Sequence, residues 1–387
     1  MSYFSLQQKV ALARSIALKK SPLYVQYYVT ARCNLACEQC NIIYADGACD
    51  ELNITQIRAM AANMARIGVC IVLLIGGEPF VRRDLPEIVR AFAEAGIHVR
   101  LQTNGLARRQ AIEACVEAGA HDISISLDSL RPALQDRING GFARSWQRAI
   151  DTVALVNELF PETGTAFFGT VLMPRNLTDI PPVIDFASRI GWGVSLVPVH
   201  TARPEAPRGF RTLDDDGAVT FAPEQVAAVR TLLDRVAAMK RAGYPVYDSQ
   251  EYLDDIARFV AGEPVRWRRR NGGLCDSPNL YFAVAPNGTL KTCCDFEATR
   301  SFGVHEADFP DLFHAGVVAE AVRPVTAACD GCMYGSYPEI SISARFLRPM
   351  LARFAYFGGG RPRLARLSAA EMTALAATVL EEHGLAG

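Results

Sequence analysis

The stretch Ala31-Arg-Cys-Asn-Leu-Ala-Cys-Glu-Gln-Cys-Asn41 places Cys33, Cys37 and Cys40 in one short loop. Thiolates are the ligands that iron–sulfur clusters take, and spacings of four and three residues let one loop surround one face of a cluster. Three ligands leave one iron of a four-iron cluster open, as a catalytic zinc keeps a free position. A zinc site with a distant fourth ligand is the alternative interpretation of the same residues.

Short apolar segments of strand length alternate with segments of helical periodicity through the first half of the chain. The predicted strands are residues 23–30, 69–75, 97–103, 122–127, 165–173 and 193–199, and the predicted helices are residues 55–66, 85–95, 107–118, 145–159 and 180–190. Strict alternation indicates parallel strands joined by right-handed crossovers. We therefore expect an α/β fold, a partial (β/α)6 TIM-like barrel, with its working face at the carboxyl ends of the strands.

A second motif, Gly-Gly-Glu-Pro at residues 76–79, ends the next predicted strand after the cysteine loop. This order of elements resembles the signature of the radical S-adenosylmethionine (radical SAM) enzymes: a strand, the motif Cys-x-x-x-Cys-x-x-Cys and then the glycine motif. The resemblance implies a 4Fe-4S cluster on the three cysteines, with S-adenosylmethionine (SAM) bound at its open iron. It further implies that one electron cleaves SAM and that the resulting 5'-deoxyadenosyl radical removes a hydrogen atom from the substrate.

The strand ends carry residues that are similar to SAM-contact positions of this family. Glycines leave backbone groups uncovered for the amino group of the cofactor, and a glutamate can lie beside that group. Ser and Thr match positions that hold its ribose and carboxylate, although such residues also cap helices. Gln39 stands where the family usually has an aromatic residue. The candidate SAM-contact residues are Gly76, Gly77, Glu78, Thr103, Ser126 and Asn176.

A hairpin signal in the second half consists of residues 281–285 and 289–293 joined by Pro-Asn-Gly. The hairpin brings Cys275 towards Cys293, and a later Cys-x-x-Cys pair completes four thiolates. This arrangement resembles the auxiliary-cluster domains of radical SAM enzymes called SPASM and, in the shorter version, Twitch. We expect one auxiliary 4Fe-4S cluster, with a four-cysteine zinc site as the alternative and Cys294 as a substitute for Cys293. The predicted ligands are Cys275, Cys293, Cys329 and Cys332.

Composition excludes several classes of protein. The chain has 387 residues and 40 Lys plus Arg against 41 Asp plus Glu, so that its formal charge of −1 provides no footprint for nucleic acid. No apolar run reaches the length of a membrane span. Eleven cysteines without a secretion signal indicate metal binding in a reducing cytoplasm.

Five regions follow from these patterns. Residues 1–22 form an N-terminal helix, 23–200 the barrel, 201–270 a linker and helices, 271–340 the auxiliary-cluster domain and 341–387 the C-terminal helices. We expect the first helix to pack against the barrel, with a membrane-surface position as the alternative.

We predict a radical SAM enzyme that acts on a small polar natural product such as a sugar, cyclitol or nucleoside. The resemblance to Twitch-type dehydrogenases implies a net two-electron oxidation in which the auxiliary cluster accepts an electron, with epimerisation and decarboxylation as alternative reactions. The alternative is a maturase that cross-links or oxidises a peptide or protein side chain. Many peptide modifiers of this family carry an N-terminal peptide-binding domain, and only 22 residues precede the first predicted strand here. We therefore expect a small substrate, with a peptide held by a separate binding protein as the alternative. The expected protein partner is an electron donor such as flavodoxin or ferredoxin, and no residue is assigned as the general base.

Overall fold

The structure, a computed structural model, describes residues 3–40, 48–200, 219–267, 275–329, 331–358 and 363–385. Its strands are β1 (Tyr24–Tyr28), β2 (Ile71–Ile75), β3 (His98–Thr103), β4 (Ala120–Ser126), β5 (Ala166–Leu172), β6 (Gly193–Pro198), β7 (Tyr281–Val284) and β8 (Leu290–Lys291). They form one sheet in the order β6-β5-β4-β3-β2-β1-β7-β8, in which β1 to β6 are parallel. The predicted α/β fold with six parallel barrel strands is confirmed.

Helices join the strands and cover the outer face of the sheet. In the barrel they are α1 (Leu6–Leu18), α2 (Ile54–Arg66), α3 (Leu85–Glu94), α4 (Arg109–Glu117), α5 (Pro132–Ile138), α6 (Ser145–Leu159) and α7 (Ile180–Ile190). The six predicted strands and the five helices predicted between them are present, with ends that differ by no more than two residues, whereas the N-terminal helix predicted over residues 1–22 covers Leu6–Leu18. The additional short helix α5 was not predicted. The linker predicted after β6 falls largely on residues 201–218, which lie outside the described ranges.

The predicted hairpin extends the barrel sheet. β7 runs parallel to β1, from Tyr281 opposite Tyr24 to Val284 opposite Tyr27, and β8 is antiparallel to β7. All residues of β7 are fully buried, as expected for a strand covered on both faces. The cysteine-rich region therefore shares its sheet with the barrel.

The N-terminal segment is anchored at the amino ends of β3 and β4. The Tyr3 hydroxyl donates to the fully buried carboxylate of Asp122. His98 Nε2 lies 2.8 Å from Asp122 Oδ2, and Arg100 Nε lies 3.6 Å from the same oxygen. Burial alone would raise the pKa of Asp122, but His98, His121 and Arg100 hold it well below its usual value. This network positions α1 across the lower end of the barrel.

The C-terminal half contains further helices. They are α8 (Pro223–Arg241), α9 (Gln250–Val260), α10 (Phe309–His314), α11 (Val317–Ala328), α12 (Ser336–Arg345), α13 (Leu347–Gly358) and α14 (Ala369–Glu382). The backbone is extended at Phe346, which separates α12 from α13, and Pro349 lies in the first turn of α13, where its missing N–H is tolerated. Ser368 caps the last helix, because its side chain accepts from the Glu371 N–H. None of the helices described here is long and apolar enough to cross a bilayer.

Candidate active site

Side chains from all six parallel strands face one internal cavity of about 1210 Å³. Successive side chains of a strand point to opposite faces, so that alternate residues form the inner wall of an open barrel. One end of the cavity lies at the cysteine loop after β1, and the other lies between α1 and α13. A volume of this size exceeds what a small cofactor fills, which leaves room for a substrate. The wall includes Gln26, Leu73, Arg100, Ser126, Phe167 and Ser195, one from each strand.

The loop with the three N-terminal cysteines closes the upper end of the cavity, and all three cysteines line it. The Glu38 N–H donates to the Ile138 carbonyl over 2.9 Å. Gly140 lies so close to the loop that a Cβ there would be 2.3 Å from the Ala36 carbonyl oxygen. The loop is therefore held by backbone contacts with the segment that follows α5.

The thiols of this loop fit a cluster better than they fit free thiolates. Burial raises the pKa of Cys33, while the Leu35 N–H donates to its Sγ over 3.4 Å. Burial also raises the pKa of Cys37, and the negative charges of Cys40 and Cys33 raise it further. Buried neighbouring thiolates need a positive partner, which the iron of a cluster supplies. The donor set matches the predicted three-cysteine site.

The two glycines of the second motif pack directly against the chain that leads into the cysteine loop. The Gly77 N–H donates to the Thr30 carbonyl and the Glu78 N–H to the Arg32 carbonyl, both over 2.9 Å. A Cβ at Gly76 would lie 2.3 Å from the Thr30 oxygen, and one at Gly77 would lie 2.2 Å from the Arg32 oxygen. Contact with residues 30–32 therefore already requires glycine at both positions. Both glycines also line the cavity, and their contact with the cofactor stays a prediction.

Glu78 joins the second motif to the end of β3. Its carboxylate accepts hydrogen bonds from the Phe80 N–H (3.0 Å), the Thr103 hydroxyl (2.8 Å) and the Asn104 N–H (2.7 Å). Burial raises the pKa of Glu78 to about 7, and these donors oppose the rise. The Thr103 hydroxyl also accepts from the Gly105 N–H, so that it is engaged within the protein. Both Glu78 and Thr103 line the cavity.

The structure separates the two remaining candidate SAM-contact residues. Ser126 lines the cavity at the end of β4. Asn176 is fully buried behind the wall, where Nδ2 donates to the Asp128 (3.0 Å) and Val171 (2.8 Å) carbonyls and Oδ1 accepts from the Met173 N–H (3.0 Å). Since these bonds engage both amide hydrogens and one acceptor position of Oδ1, Asn176 stabilises the strand end, and it is not among the residues that line the cavity.

Two polar contacts of the cysteine loop were not predicted. Gln39 Nε2 donates to Asp128 Oδ2 over 2.8 Å, and Asn104 Nδ2 donates to Asn34 Oδ1 over 2.7 Å. Gln39 and Asn104 both line the cavity, and burial raises the pKa of Asp128 to about 7. Asn104 and Asp128 closely follow the ends of β3 and β4, which was the available signal in the sequence. A sequence does not show which side chains meet across the barrel.

The four distal cysteines lie close enough to repel one another as thiolates. Burial is the main cause that raises the pKa of Cys275, Cys293 and Cys332. The charge of Cys329 raises the pKa of Cys275 further, and the charges of Cys275 and Cys329 do so for Cys332. Cys293 is affected by Cys332 in the same way. The structure thus brings together all four predicted auxiliary ligands.

Each of these four sulfurs has a backbone N–H as hydrogen-bond donor, two residues further along the chain. Such bonds stabilise the thiolate form that binds metal. Cys33 has the same arrangement in the first group. The donors are the N–H groups of Ser277, Asp295 (3.4 Å), Gly331 (3.4 Å) and Tyr334.

The spacing of the sulfurs bears on the choice between zinc and iron. Sulfurs of a tetrahedral zinc site lie about 3.8 Å apart, from a Zn–S distance of about 2.3 Å. Across the part of the chain that the structure describes, one group of His, Cys, Asp and Glu has all its ligand atoms within 4.8 Å, and it is His98, His121 and Asp122. That group is the anchor described above, and Arg100 disfavours a cation there. Within the described residues, no three of the distal cysteines form such a compact group, and the auxiliary cluster on them stays a prediction.

Cys294 faces a different environment from Cys293. Its sulfur lines the central cavity, accepts from the Tyr28 hydroxyl over 3.1 Å and lies 3.5 Å from Gln26 Oε1. Burial raises the pKa of Cys294 to about 12, so that the thiol is neutral. The Asp295 N–H instead donates to Cys293. The geometry favours Cys293 as the auxiliary ligand.

Comparisons with known proteins agree with the sequence motifs. A family model described as the radical SAM superfamily matches residues 27–187. PqqA peptide cyclase of Ruegeria pomeroyi is 36% identical over 320 residues, which cover 78% of this chain and 76% of that protein. PqqA peptide cyclase of Rhodopseudomonas palustris is 34% identical over 169 residues, 43% of this chain and 44% of that protein. The chain thus spans about half the length of several curated relatives, with shares of 44%, 50% and 43%.

Among solved structures, Streptococcus suis SuiB bound to its precursor peptide SuiA has a similar fold. The TM-score is 0.62 at 16% sequence identity, and the match covers 94% of this chain and 79% of SuiB. At this identity the likeness concerns the fold, and it extends from the barrel into the C-terminal region.

Proposed function

Because the chain belongs to the radical SAM superfamily, we propose that it modifies a peptide or protein side chain by radical chemistry in its barrel cavity. The observation that carries the proposal is the alignment of 78% of the chain with a relative named for a peptide substrate. That finding supports the peptide alternative over the sugar, cyclitol or nucleoside that we had favoured from the sequence.

The site residues of this proposal fall into two groups. When bound, the SAM-binding 4Fe-4S cluster and SAM supply a 5'-deoxyadenosyl radical, which abstracts a hydrogen atom from the substrate. Glu78 offers a buried carboxylate beside the proposed SAM pocket, where a positive charge on a ligand would stabilise its ionised form. Ser126 adds a hydroxyl from the next strand end. The proposed ligands of this cluster are Cys33, Cys37 and Cys40.

The protein positions the substrate in the cavity, and a wall of side chains lies between the two groups of cysteines. Tyr28 and Cys294 stand in this wall, and the Tyr28 hydroxyl donates to the Cys294 sulfur. Tyr334 also lines the cavity and donates to Asp295, beside the distal cysteines. An auxiliary 4Fe-4S cluster on the four distal cysteines has no open iron, so its proposed role is electron transfer with the substrate. An external donor such as flavodoxin or ferredoxin is the proposed source of the first electron.

The test measures 5'-deoxyadenosine formed by the anaerobically reconstituted enzyme with dithionite as reductant. Extract of the source cells is divided into a peptide fraction and a small-molecule fraction, and each is added with and without prior protease treatment. We expect the peptide fraction to raise formation above the substrate-free rate and protease to abolish the increase. Stimulation by the small-molecule fraction alone, resistant to protease, would contradict a peptide substrate.

A further inference from the structure

Two helices at the lower end of the cavity carry most of the exposed apolar side chains. Among the described residues, the large apolar side chains that are most exposed all lie on α1 and α13, with one exception on the segment before α6. They are Leu6, Val10, Leu18, Leu347, Leu351 and Phe354, and the exception is Phe142. Concentration of such residues on adjoining elements marks an interaction surface.

On α1 the exposed apolar side chains form a stripe with basic borders. Leu6 and Val10 are 79% and 61% exposed and stand one helical turn apart. The exposed Lys9 lies beside Leu6 and Val10, the exposed Arg14 lies one turn beyond Val10, and the exposed Lys20 follows the end of the helix. An apolar face bordered by Lys and Arg is typical of a helix that lies in a membrane interface.

On α13 the same pattern recurs. Leu347, Leu351 and Phe354 are 65%, 56% and 54% exposed at spacings of four and three residues, so they share one face of the helix. Arg348 is exposed beside this face. The helix thus repeats the combination of apolar and basic groups found on α1.

The two helices adjoin each other and the cavity. The ring of Tyr3, just before α1, stacks on Phe357 of α13 with centroids 4.9 Å apart. Leu12 of α1 and Met350 of α13 line the cavity from their inner faces. Lys9 and Phe354 also line it and are exposed, so they mark its lower rim.

The charge of this surface indicates which kind of partner binds there. Neither helix contains Asp or Glu, and the flanking residues 1–37 and 340–370 contain none either. A second copy of the chain docked by two-fold symmetry would bring the same basic groups against each other. A bilayer with anionic lipids accepts both the apolar side chains and the basic ones.

We propose that the exposed faces of α1 and α13 dock on an anionic lipid bilayer and thereby place the lower rim of the cavity at the lipid surface. This inference does not depend on the identity of the substrate. For the N-terminal helix, it corresponds to the membrane-surface position that was the alternative expectation from the sequence.

Flotation of the full reconstituted chain with vesicles tests this surface. The vesicles contain either equimolar phosphatidylcholine and phosphatidylglycerol or phosphatidylcholine alone. The first variant combines Leu6→Ser, Val10→Ser, Leu347→Ser and Leu351→Ser, none of which lines the cavity. The second replaces the exposed Arg14, Lys20 and Arg348 with Gln. Phe142→Ser is the matched control, since it removes an exposed apolar side chain elsewhere.

We expect binding to the anionic vesicles that weakens with salt, and weaker binding to phosphatidylcholine. Removal of three basic groups should lower the apparent affinity by on the order of a hundredfold, and the apolar variant should lose at least about tenfold. Phe142→Ser should bind like the parent, and all variants should keep the substrate-free rate of 5'-deoxyadenosine formation.

Failure of the parent to float with anionic vesicles, or equal binding by the parent and both variants, would overturn the proposal. So would a parent that sediments as a dimer without binding vesicles and becomes monomeric in the apolar variant, because a second copy would then cover the surface.

Discussion

Replacement of Glu78 with Gln probes the buried carboxylate that connects the second motif to β3. Glu78 is 1% exposed, and one oxygen accepts from Phe80 and Thr103 while the other accepts from the Asn104 N–H over 2.7 Å. A glutamine keeps the first oxygen. Its amide NH2 then faces the Asn104 N–H, donor against donor, which costs about 1–3 kcal/mol at any pH.

The parent carries a different, pH-dependent cost. Burial raises the pKa of Glu78 from 4.5 to about 7, which corresponds to about 3 kcal/mol against the ionised form. Because the folded-state pKa lies above the unfolded value, this group's contribution to stability is fully present below about pH 4.5 and is lost as the pH rises through about 7. At about pH 5 the variant should therefore be less stable than the parent by about 1–3 kcal/mol. Above about pH 8 the variant should be as stable as the parent or more stable.

The assay is urea unfolding of cluster-free parent and variant, reduced and anaerobic, followed by far-ultraviolet circular dichroism across this pH range. Glu117→Gln, at an exposed glutamate of α4, controls for the loss of one charge. A difference between parent and Glu78→Gln that stays constant with pH would refute a raised pKa for Glu78 and the proposed preference of this pocket for a positively charged ligand.

Four further substitutions test other parts of the structure. Gly77→Ala should lower the free energy of unfolding by more than about 2 kcal/mol and also lower the iron content, because its Cβ would lie 2.2 Å from the Arg32 oxygen. Urea unfolding and metal analysis measure these two effects. A variant with the parent's stability and iron content would contradict this contact. Cys293→Ser should reduce the iron content from about eight to about four per chain, whereas Cys294→Ser should keep about eight. The reverse result would show that Cys294, and not Cys293, is the ligand of the auxiliary cluster. Asp122→Asn should lower the melting temperature. In the parent, the contribution of this carboxylate to stability is present above its unfolded pKa of about 4 and is lost as the pH falls through its depressed folded pKa. If the variant keeps the parent's pH profile of the melting temperature, the anchoring role of Asp122 is refuted.

The barrel could be predicted because buried parallel strands leave a strong pattern. Runs such as Val72 to Leu74 are apolar throughout, and helical periodicity follows each of them. The turn at Asn287 and Gly288 likewise predicted the hairpin. Its pairing with β1 could not be predicted, because the four apolar residues of β7 do not specify which strand they join.

The candidate site could be predicted in part. The spacing of the cysteines indicates clusters without any knowledge of the fold. The reason for Gly76 depends on its contact with Thr30, which is distant in sequence. Asn176 stands at a strand end like the other candidates, but the local turn directs its amide to backbone carbonyls. Contacts of this kind require the tertiary structure.

The central claim is that the barrel loop and the distal cysteines hold separate clusters and that the loop cluster cleaves SAM. We would measure iron, sulfide and 5'-deoxyadenosine for the anaerobically reconstituted parent and for a variant with Cys33, Cys37 and Cys40 all changed to Ala. We predict about eight irons and 5'-deoxyadenosine formation in the parent, and about four irons without 5'-deoxyadenosine in the variant. A variant without iron beside a parent with about four, or a variant that still forms 5'-deoxyadenosine, would contradict this claim.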